Sequence, residues 1–296
     1  MKSDAFSEYN PIINFAFFIG AIGLGMFFTH PAFAACSVFF SALYLYTIKG
    51  RESLKFIGGM GIMFIVLSLI NGLFNSMGET VLFVYFGRNY TLEALLYGMC
   101  TSAMLISVFL WFASYNSIMS NDKFMFIFGR IIPSGSLIIS MALRLVTIYK
   151  NKIIQIHTAR KCIGKGAADE NDRISALKNG STVISTLATW ALEGGVITAD
   201  SMRMRGYGLP GRTTFSNYRF GMRDKALLGG MVLLSAVIIF CAAMGASSAE
   251  FIPVINITSG GIYFYAGLIS YILFLSIAPI INITEAVRWR ILRSRI

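Results

Sequence analysis

Two arginines at the ends of helix-like segments are the residues of this chain best suited to grip another protein. They are Arg160, flanked by Ala159 and Lys161, and Arg205, flanked by Met204 and Gly206. A guanidinium presents its N–H donors in a planar fork that meets a carboxylate with two parallel bonds, so either position suits an acidic groove. A cation in the last turn of a helix also gains about 0.3–1 kcal/mol from the helix dipole, and a single such arginine would need no further explanation. Both, however, lie in one polar island, residues 150–225, where thirteen Lys/Arg and six Asp/Glu interrupt an otherwise apolar chain. Paired tips in one basic module read as plugs for acidic partners.

Covalent chemistry has little to work with. The two histidines, His30 and His157, are far apart in the chain, and neither an HExxH nor a GxxxxGK[ST] pattern occurs. Hydrolysis within a membrane requires a nucleophile with a base, or a metal cluster, and no such set can be assembled. Cys36, Cys100, Cys162 and Cys241 lack CxxC spacing, and three of them lie in apolar runs, so they read as packing residues with no disulfide or zinc role. The chain is expected to be non-catalytic, with no cofactor or metal of its own.

The elements that position the tips follow from composition. Of 296 residues, 56% are hydrophobic and 13% charged, and the mean hydropathy is +0.68; soluble domains carry roughly 25% charged residues. An all-α integral membrane protein is expected. A hydrocarbon core of ~30 Å needs about 20 helical residues per crossing, and six runs qualify: residues 12–28, 32–48, 56–74, 94–114, 226–246 and 262–284. None contains Asp, Glu, Lys, Arg or His, whereas carriers, pumps and channels usually place ionisable groups along their pathways. The first run lacks a small-residue cleavage site after a basic start, so it is expected to remain as a span.

Lys/Arg bias marks the cytoplasmic side. The connections at 30–31, 75–91 and 247–261 hold one basic residue, Arg88; Lys49, Arg51 and Lys55 cluster in another, and Arg288, Arg290, Arg293 and Arg295 close the chain. The N-terminus, the 49–55 turn, the island and the tail are therefore assigned inside. Residues 131–149 are apolar but contain Pro133 and Arg144 and follow Arg130. A crossing there would put the island outside, so 121–149 is read as an interfacial helix with Lys123, Arg130 and Arg144 reaching toward water. The alternative is an ordinary span with a snorkelling arginine. The resulting domains are 1–120 with four spans, a module of amphipathic helices at the cytoplasmic face at 121–225, and 226–296 with two spans and a basic tail. The net charge of +11 suits anionic lipid or an acidic protein; nucleic acid is a poor fit.

Within the island, a basic helix runs from Arg144 to about Gly164 and Gly166. After the loop 166–172, Ile174, Leu177, Ile184, Leu187, Ala188 and Ala191 recur at three- and four-residue spacing, the pattern of one buried helix face. Gly194 and Gly195 are expected to interrupt it, and a third segment from Val196 should stop at Gly206, a residue suited to a left-handed C-cap. Gly20, Gly23 and Gly25 in the first span and Gly58, Gly59 and Gly61 in the third let helices approach closely. They serve packing within the chain or form a smooth face for another membrane protein.

Three stretches carry a resemblance. They are Leu-Phe-Asn-Ser-Met-Gly-Glu-Thr-Val-Leu-Phe at 73–83 with Tyr-Thr-Leu-Glu-Ala-Leu-Leu-Tyr-Gly at 90–98, the segment from Ala-Leu-Arg-Leu at 142–145 to Ala159-Arg160, and Ala-Asp-Ser-Met-Arg-Met-Arg-Gly-Tyr-Gly-Leu-Pro-Gly-Arg-Thr-Thr at 199–214. The chain resembles the transmembrane T component of energy-coupling factor (ECF) transporters, the CbiQ-like permease family, in its vitamin-uptake branch. That resemblance implies a scaffold whose coupling helices end in Ala-Arg-Gly motifs, each seated in a groove of one of two ABC-type ATPase subunits that bind the ATP and magnesium. Ala159-Arg160-Lys161 and Met204-Arg205-Gly206 take those places, departing from the pattern at Lys161 and Met204. It also implies a small membrane-embedded substrate-binding S component packed on Ile174, Leu177, Ile184 and Leu187, and residence in a prokaryotic plasma membrane with both termini cytoplasmic. The rival classes are a stand-alone permease or channel, for which polar residues lining the spans are sparse, and the permease of an ordinary ABC importer.

Overall fold

The computed structural model describes residues 5–75, 78, 80–85, 88–131, 133–164, 173–207, 209, 220–245, 249–251, 256–257 and 260–293. In chain order a 3-10 turn (Ala5–Glu8) precedes α1 (Pro11–Phe27), α2 (Pro31–Lys49), α3 (Glu52–Phe74), β1 (Val81–Tyr85), β2 (Arg88–Thr91), α4 (Leu92–Ile118), α5 (Asn121–Ile131), α6 (Pro133–Cys162), α7 (Arg173–Met204), α8 (Met222–Ala243), β3 (Ala249–Glu250), β4 (Asn256–Ile257) and α9 (Ile262–Arg293). Contacts divide the chain into two compact units, residues 1–124 with 218–296, and residues 125–217.

This is an all-α, multi-pass membrane protein. Six helices are long and apolar enough to cross a bilayer: α2, α3, α4, α8, α9 and, within α7, Leu177–Met204. The set differs from the six runs read in the sequence at two places. At 17 residues α1 is apolar but short, about 26 Å against a ~30 Å core. The other difference, α7, enters because its polar residues are Ser, Thr and Gly more than charges.

Local signals set where the helices of the first unit begin. Pro11 and Pro31 occupy first-turn positions, where a missing N–H costs nothing. Asn10 Oδ1 accepts the Ile12 N–H at 3.1 Å, His30 Nδ1 accepts that of Ala32 at 3.2 Å, and Thr91 Oγ1 accepts that of Ala94 at 3.4 Å. His30 is buried against Phe33 and Phe264, and that burial pushes its pKa below the usual 6.5. The neutral ring is the form able to accept the capping bond.

Packing in this unit runs α4 along α2 and α3, α9 along α8 and α2, and α1 against α4. At its centre Phe17 lies 5.3 Å from Phe6 and 5.5 Å from each of Phe18, Trp111 and Phe274, centroid to centroid. Trp111 donates its ring N–H to Ser37 Oγ at 3.4 Å. Small residues permit the close crossings, as expected where lipid supplies no hydrophobic drive between helices. A Cβ at Gly20 would stand 2.6 Å from Phe274, and one at Gly98 would stand 2.8 Å from the Ser68 carbonyl. The expected glycine clusters divide: Gly20 and Gly25 pack inside, whereas a Cβ at Gly23, Gly58, Gly59 or Gly61 would meet nothing within 4 Å.

Two charged residues are buried in the first unit. Glu93 lies in the first turn of α4, and its Oε1 accepts the N–H and O–H of Thr80 at 3.2 and 2.6 Å. A carboxylate there also meets the positive end of the helix dipole. Lys123, expected to reach toward water, is buried instead. Its ammonium donates to Ser7 O and Oγ at 2.5 and 2.6 Å and to Ile118 O at 3.3 Å, tying the first turn of α5 to the N-terminal segment and the end of α4. Between α3 and α4, β1 and β2 form an antiparallel hairpin with a register shift between Val81 and Phe83.

The second unit corrects the helix boundaries. Residues 133–162 form one helix, so the apolar stretch 131–149 and the basic stretch after Arg144 are not separate elements. Arg144 is exposed; the Arg130 side chain lies outside the described residues. Gly194 and Gly195 do not interrupt α7, which runs unbroken to Met204. A helical glycine costs only about 1 kcal/mol against alanine, which the flanking Trp-Ala-Leu-Glu and Val-Ile-Thr-Ala segments outweigh. Residues 166–172, 210–214 and Arg295 lie outside the described residues.

Candidate functional site

Both arginines are carried on capped helix ends of the second unit. At the end of α6, Arg160 and Lys161 occupy the last turn, and the chain leaves through Gly164, φ +75°, whose N–H donates to Lys161 O at 3.1 Å. At the end of α7 the closure is fuller. Gly206 has φ +73°, its N–H donates to Arg203 O, and the Tyr207 N–H donates to Met202 O, both at 3.1 Å. These paired bonds make a Schellman cap, which needs a left-handed residue where Gly206 stands. Arg205 is therefore presented from a fixed turn, as the sequence pattern predicts.

Contacts between the two helices set their direction. Arg160 Nη2 donates to Asn179 Oδ1 at 2.9 Å. The Tyr149 and Trp190 rings lie 6.0 Å apart, edge to face, and the Lys152 ammonium stands 4.8 Å from the Trp190 ring centre. Moving eleven residues back along α6 matches eleven residues forward along α7, so the helices run antiparallel. Arg160 consequently lies beside the start of α7, and Arg205 lies at its far end. From Asn179 to Met204 the rise along α7 is about 38 Å.

Surroundings distinguish the tips. Arg160 is half-buried, and its bond to Asn179 uses one of the five guanidinium N–H donors, leaving a fork already oriented. Arg205 is exposed, and Met204 beside it is 90% exposed. Ala159 and Lys161 are exposed, and Gly206 is half-buried.

The apolar residues assigned to a buried face divide as well. Leu177 is 74% exposed and Ile184 68%, while Leu187 is half-buried. The Ile174 side chain lies outside the described residues. Asn179, Trp190 and Leu187 share one side of α7, toward α6. Roughly 100° per residue puts Leu177, Ile184, Ala188 and Leu192 on another, with Gly180, Ser181, Gly195 and Ala199 between them. No charged residue falls on that stripe from Leu177 to Met202.

The sequence matches no known protein family and no curated protein.

Among the described residues no group of three His, Cys, Asp or Glu is placed to hold a metal ion. His157 is exposed on α6, and His30 is buried in the first unit. Asn179, which braces Arg160, and Trp190, which meets Tyr149 and Lys152, were not read from the sequence. Neither belongs to a local motif, and only the antiparallel pairing of helices separated by a loop makes them partners. The arrangement places two cations at separate points of one antiparallel helix pair, Arg160 at the end of α6 and Arg205 beyond the end of α7.

Proposed function

We propose that this protein is the transmembrane coupling subunit of an ATP-driven importer of the ECF type, a T component that links ATPase subunits to a substrate-binding membrane subunit. The observation that carries the reading is the placement of two arginines on one antiparallel helix pair, Arg160 at the end of α6 braced by Asn179 near the start of α7, and Arg205 on a Schellman cap about 38 Å of helix rise further along α7. Two ATPase subunits would each take one tip, Arg160 with Ala159 and Lys161, or Arg205 with Met204 and Gly206. ATP and magnesium belong to those subunits. When nucleotide draws them together, the distance between their grooves changes. A continuous helix transmits that displacement along its length, since an unbroken hydrogen-bond ladder bends little without proline or a bulge.

The uncharged stripe of Leu177 and Ile184, with Leu187 at its edge, suits a helix of a small membrane-embedded partner that delivers a vitamin or similar micronutrient. Small residues along it permit close approach. The basic connections fit a prokaryotic plasma membrane with both termini in the cytoplasm.

The test is a double replacement, Arg160→Glu with Arg205→Glu, expressed with the ATPases of the same cell. Insertion and thermal unfolding of the chain should stay as in the parent, while ATPase subunits no longer co-purify. Undiminished co-purification sinks the assignment.

A further inference from the structure

A cleft of about 230 Å³ opens between α2, α3 and α4, lined by Val38 and Ala42 of α2, Ile57, Met60, Gly61 and Phe64 of α3, and Ile106 and Leu110 of α4, with no polar surface on its walls. Ile106 and Leu110 form its buried floor, and Gly61 is exposed at its mouth. A Cβ at Gly61 would meet nothing within 4 Å, so this glycine is not required for a helix crossing. Its effect is to hold the cleft open.

The end of α2 adds a charge to this cleft. Val38, Ala42 and Lys49 are spaced four and seven residues apart, which places them on one stripe of the helix. Lys49 therefore lies in line with the cleft, about 10 Å beyond Ala42 along the axis. Lys49 and Arg51 are exposed. By helical phase Glu52 and Lys55 fall away from the α3 face that carries Ile57, Met60, Gly61 and Phe64. Tyr46, 46% exposed, sits one turn before Lys49, at the level where interfacial aromatic residues collect.

We infer that this cleft binds one acyl chain of an anionic phospholipid, whose phosphate is held by Lys49 and Arg51 at the α2–α3 turn. Three features select a lipid over a protein helix. The cleft is narrow, its walls are apolar at membrane depth, and the charged group in line with it, Lys49 with Arg51 beside it at the turn, is cationic and stands at headgroup level. A juxtamembrane lysine attracts anionic lipid by about 1 kcal/mol, which makes the site selective as well as greasy. The lipid would fasten α3, the most exposed helix of the first unit's α2–α3–α4 group, to α2 and α4. This inference is independent of the importer reading.

Native mass spectrometry of the full chain released from detergent tests it, with phosphatidylglycerol and phosphatidylcholine as the two probes. The parent chain should retain one phosphatidylglycerol. Gly61→Leu, which fills the mouth, and Ala42→Leu, which fills the opposite wall, should each reduce retained lipid of either kind to the level of non-specific adducts. Lys49→Gln should leave phosphatidylcholine retention unchanged and lower the preference for phosphatidylglycerol roughly fivefold. Equal lipid retention in the parent and in both leucine variants overturns the proposal. So does a parent chain that retains no lipid, or a leucine variant that keeps its lipid but loses a co-purifying protein.

Discussion

Trp111 is fully buried, with Phe17, Phe18 and Tyr44 rings between 5.5 and 6.2 Å away, whereas Trp190 is half-buried and meets one tyrosine ring and one lysine. The same residue type thus holds helices together in both units by different means. In the first unit, rings from α1, α2, α4 and α9 interlock and leave no single contact dispensable. The second unit has no buried residue among its described positions on α6 and α7, and a few discrete bonds set its register. A region with many interlocked contacts opens only with global unfolding, while one with few can move at low cost. The difference puts the denser packing in the first unit and the fewer, discrete contacts in the α6–α7 pair.

Replacing each tryptophan measures that contrast directly. Trp111→Ala empties a closed site and should cost about 3–5 kcal/mol of unfolding free energy, followed by denaturant titration in detergent. Trp190→Ala removes one edge-to-face pair and one half-buried cation–π contact, about 1–2 kcal/mol together. Equal losses would erase the distinction between the units.

Much of this was legible before any coordinates, and the exceptions have physical reasons. The spans declare themselves through length and lack of charge, and Gly206 through the one backbone conformation that glycine takes freely. Lys123 misleads because a lysine beside an apolar run normally snorkels. Here the Ser7 and Ile118 carbonyls and a hydroxyl, more than a hundred residues distant in one case, supply the acceptors that allow burial. Gly194 and Gly195 mislead because propensity is a weak prior inside a long helix. Leu177 and Ile184 show the limit of periodicity: the spacing predicts that a face will be covered, but not whether the cover lies in the same chain. Arg160's brace, Asn179, is invisible locally because no spacing rule links residues across a loop.

Acidification should weaken the first unit. Burial lowers the His30 pKa, so between the folded value and the unfolded 6.5 the unfolded chain binds more protons, and stability rises with pH. The stabilising contribution is complete above 6.5 and lost as pH falls through that window; below the folded value protonation also removes the acceptor for the Ala32 N–H. Melting temperature should therefore fall between about pH 7 and pH 5, and His30→Asn, which retains a capping acceptor, should flatten the profile. An unchanged slope in that variant would assign the effect elsewhere.

Glycine replacements in α7 should have opposite signs within a dozen residues. Alanine at Gly194 and Gly195 meets no neighbouring atom and should stabilise the helix by about 1 kcal/mol each. At Gly206, φ +73° makes alanine unfavourable by roughly 1–2 kcal/mol, opening the cap that presents Arg205. Hydrogen exchange would report both, slower at the amides around Gly194 and Gly195 in the first pair and faster from Met202 to Tyr207 in the last.

The smallest effect is expected where the sequence pattern looks most like a core. Leu177→Ser and Ile184→Ser replace side chains that are 74% and 68% exposed, and exposed substitutions usually change stability by no more than about 0.5 kcal/mol. A covered leucine would instead cost several times that. If the pair of serines leaves unfolding of the purified chain unchanged yet strips a membrane-embedded partner from the assembly, the stripe is a surface kept apolar for another polypeptide. If the serines destabilise the purified chain to the degree expected of a core site, the stripe is packed within the chain. The contrast between a self-contained bundle and an uncovered rod would then fail at the point where the rod is meant to work.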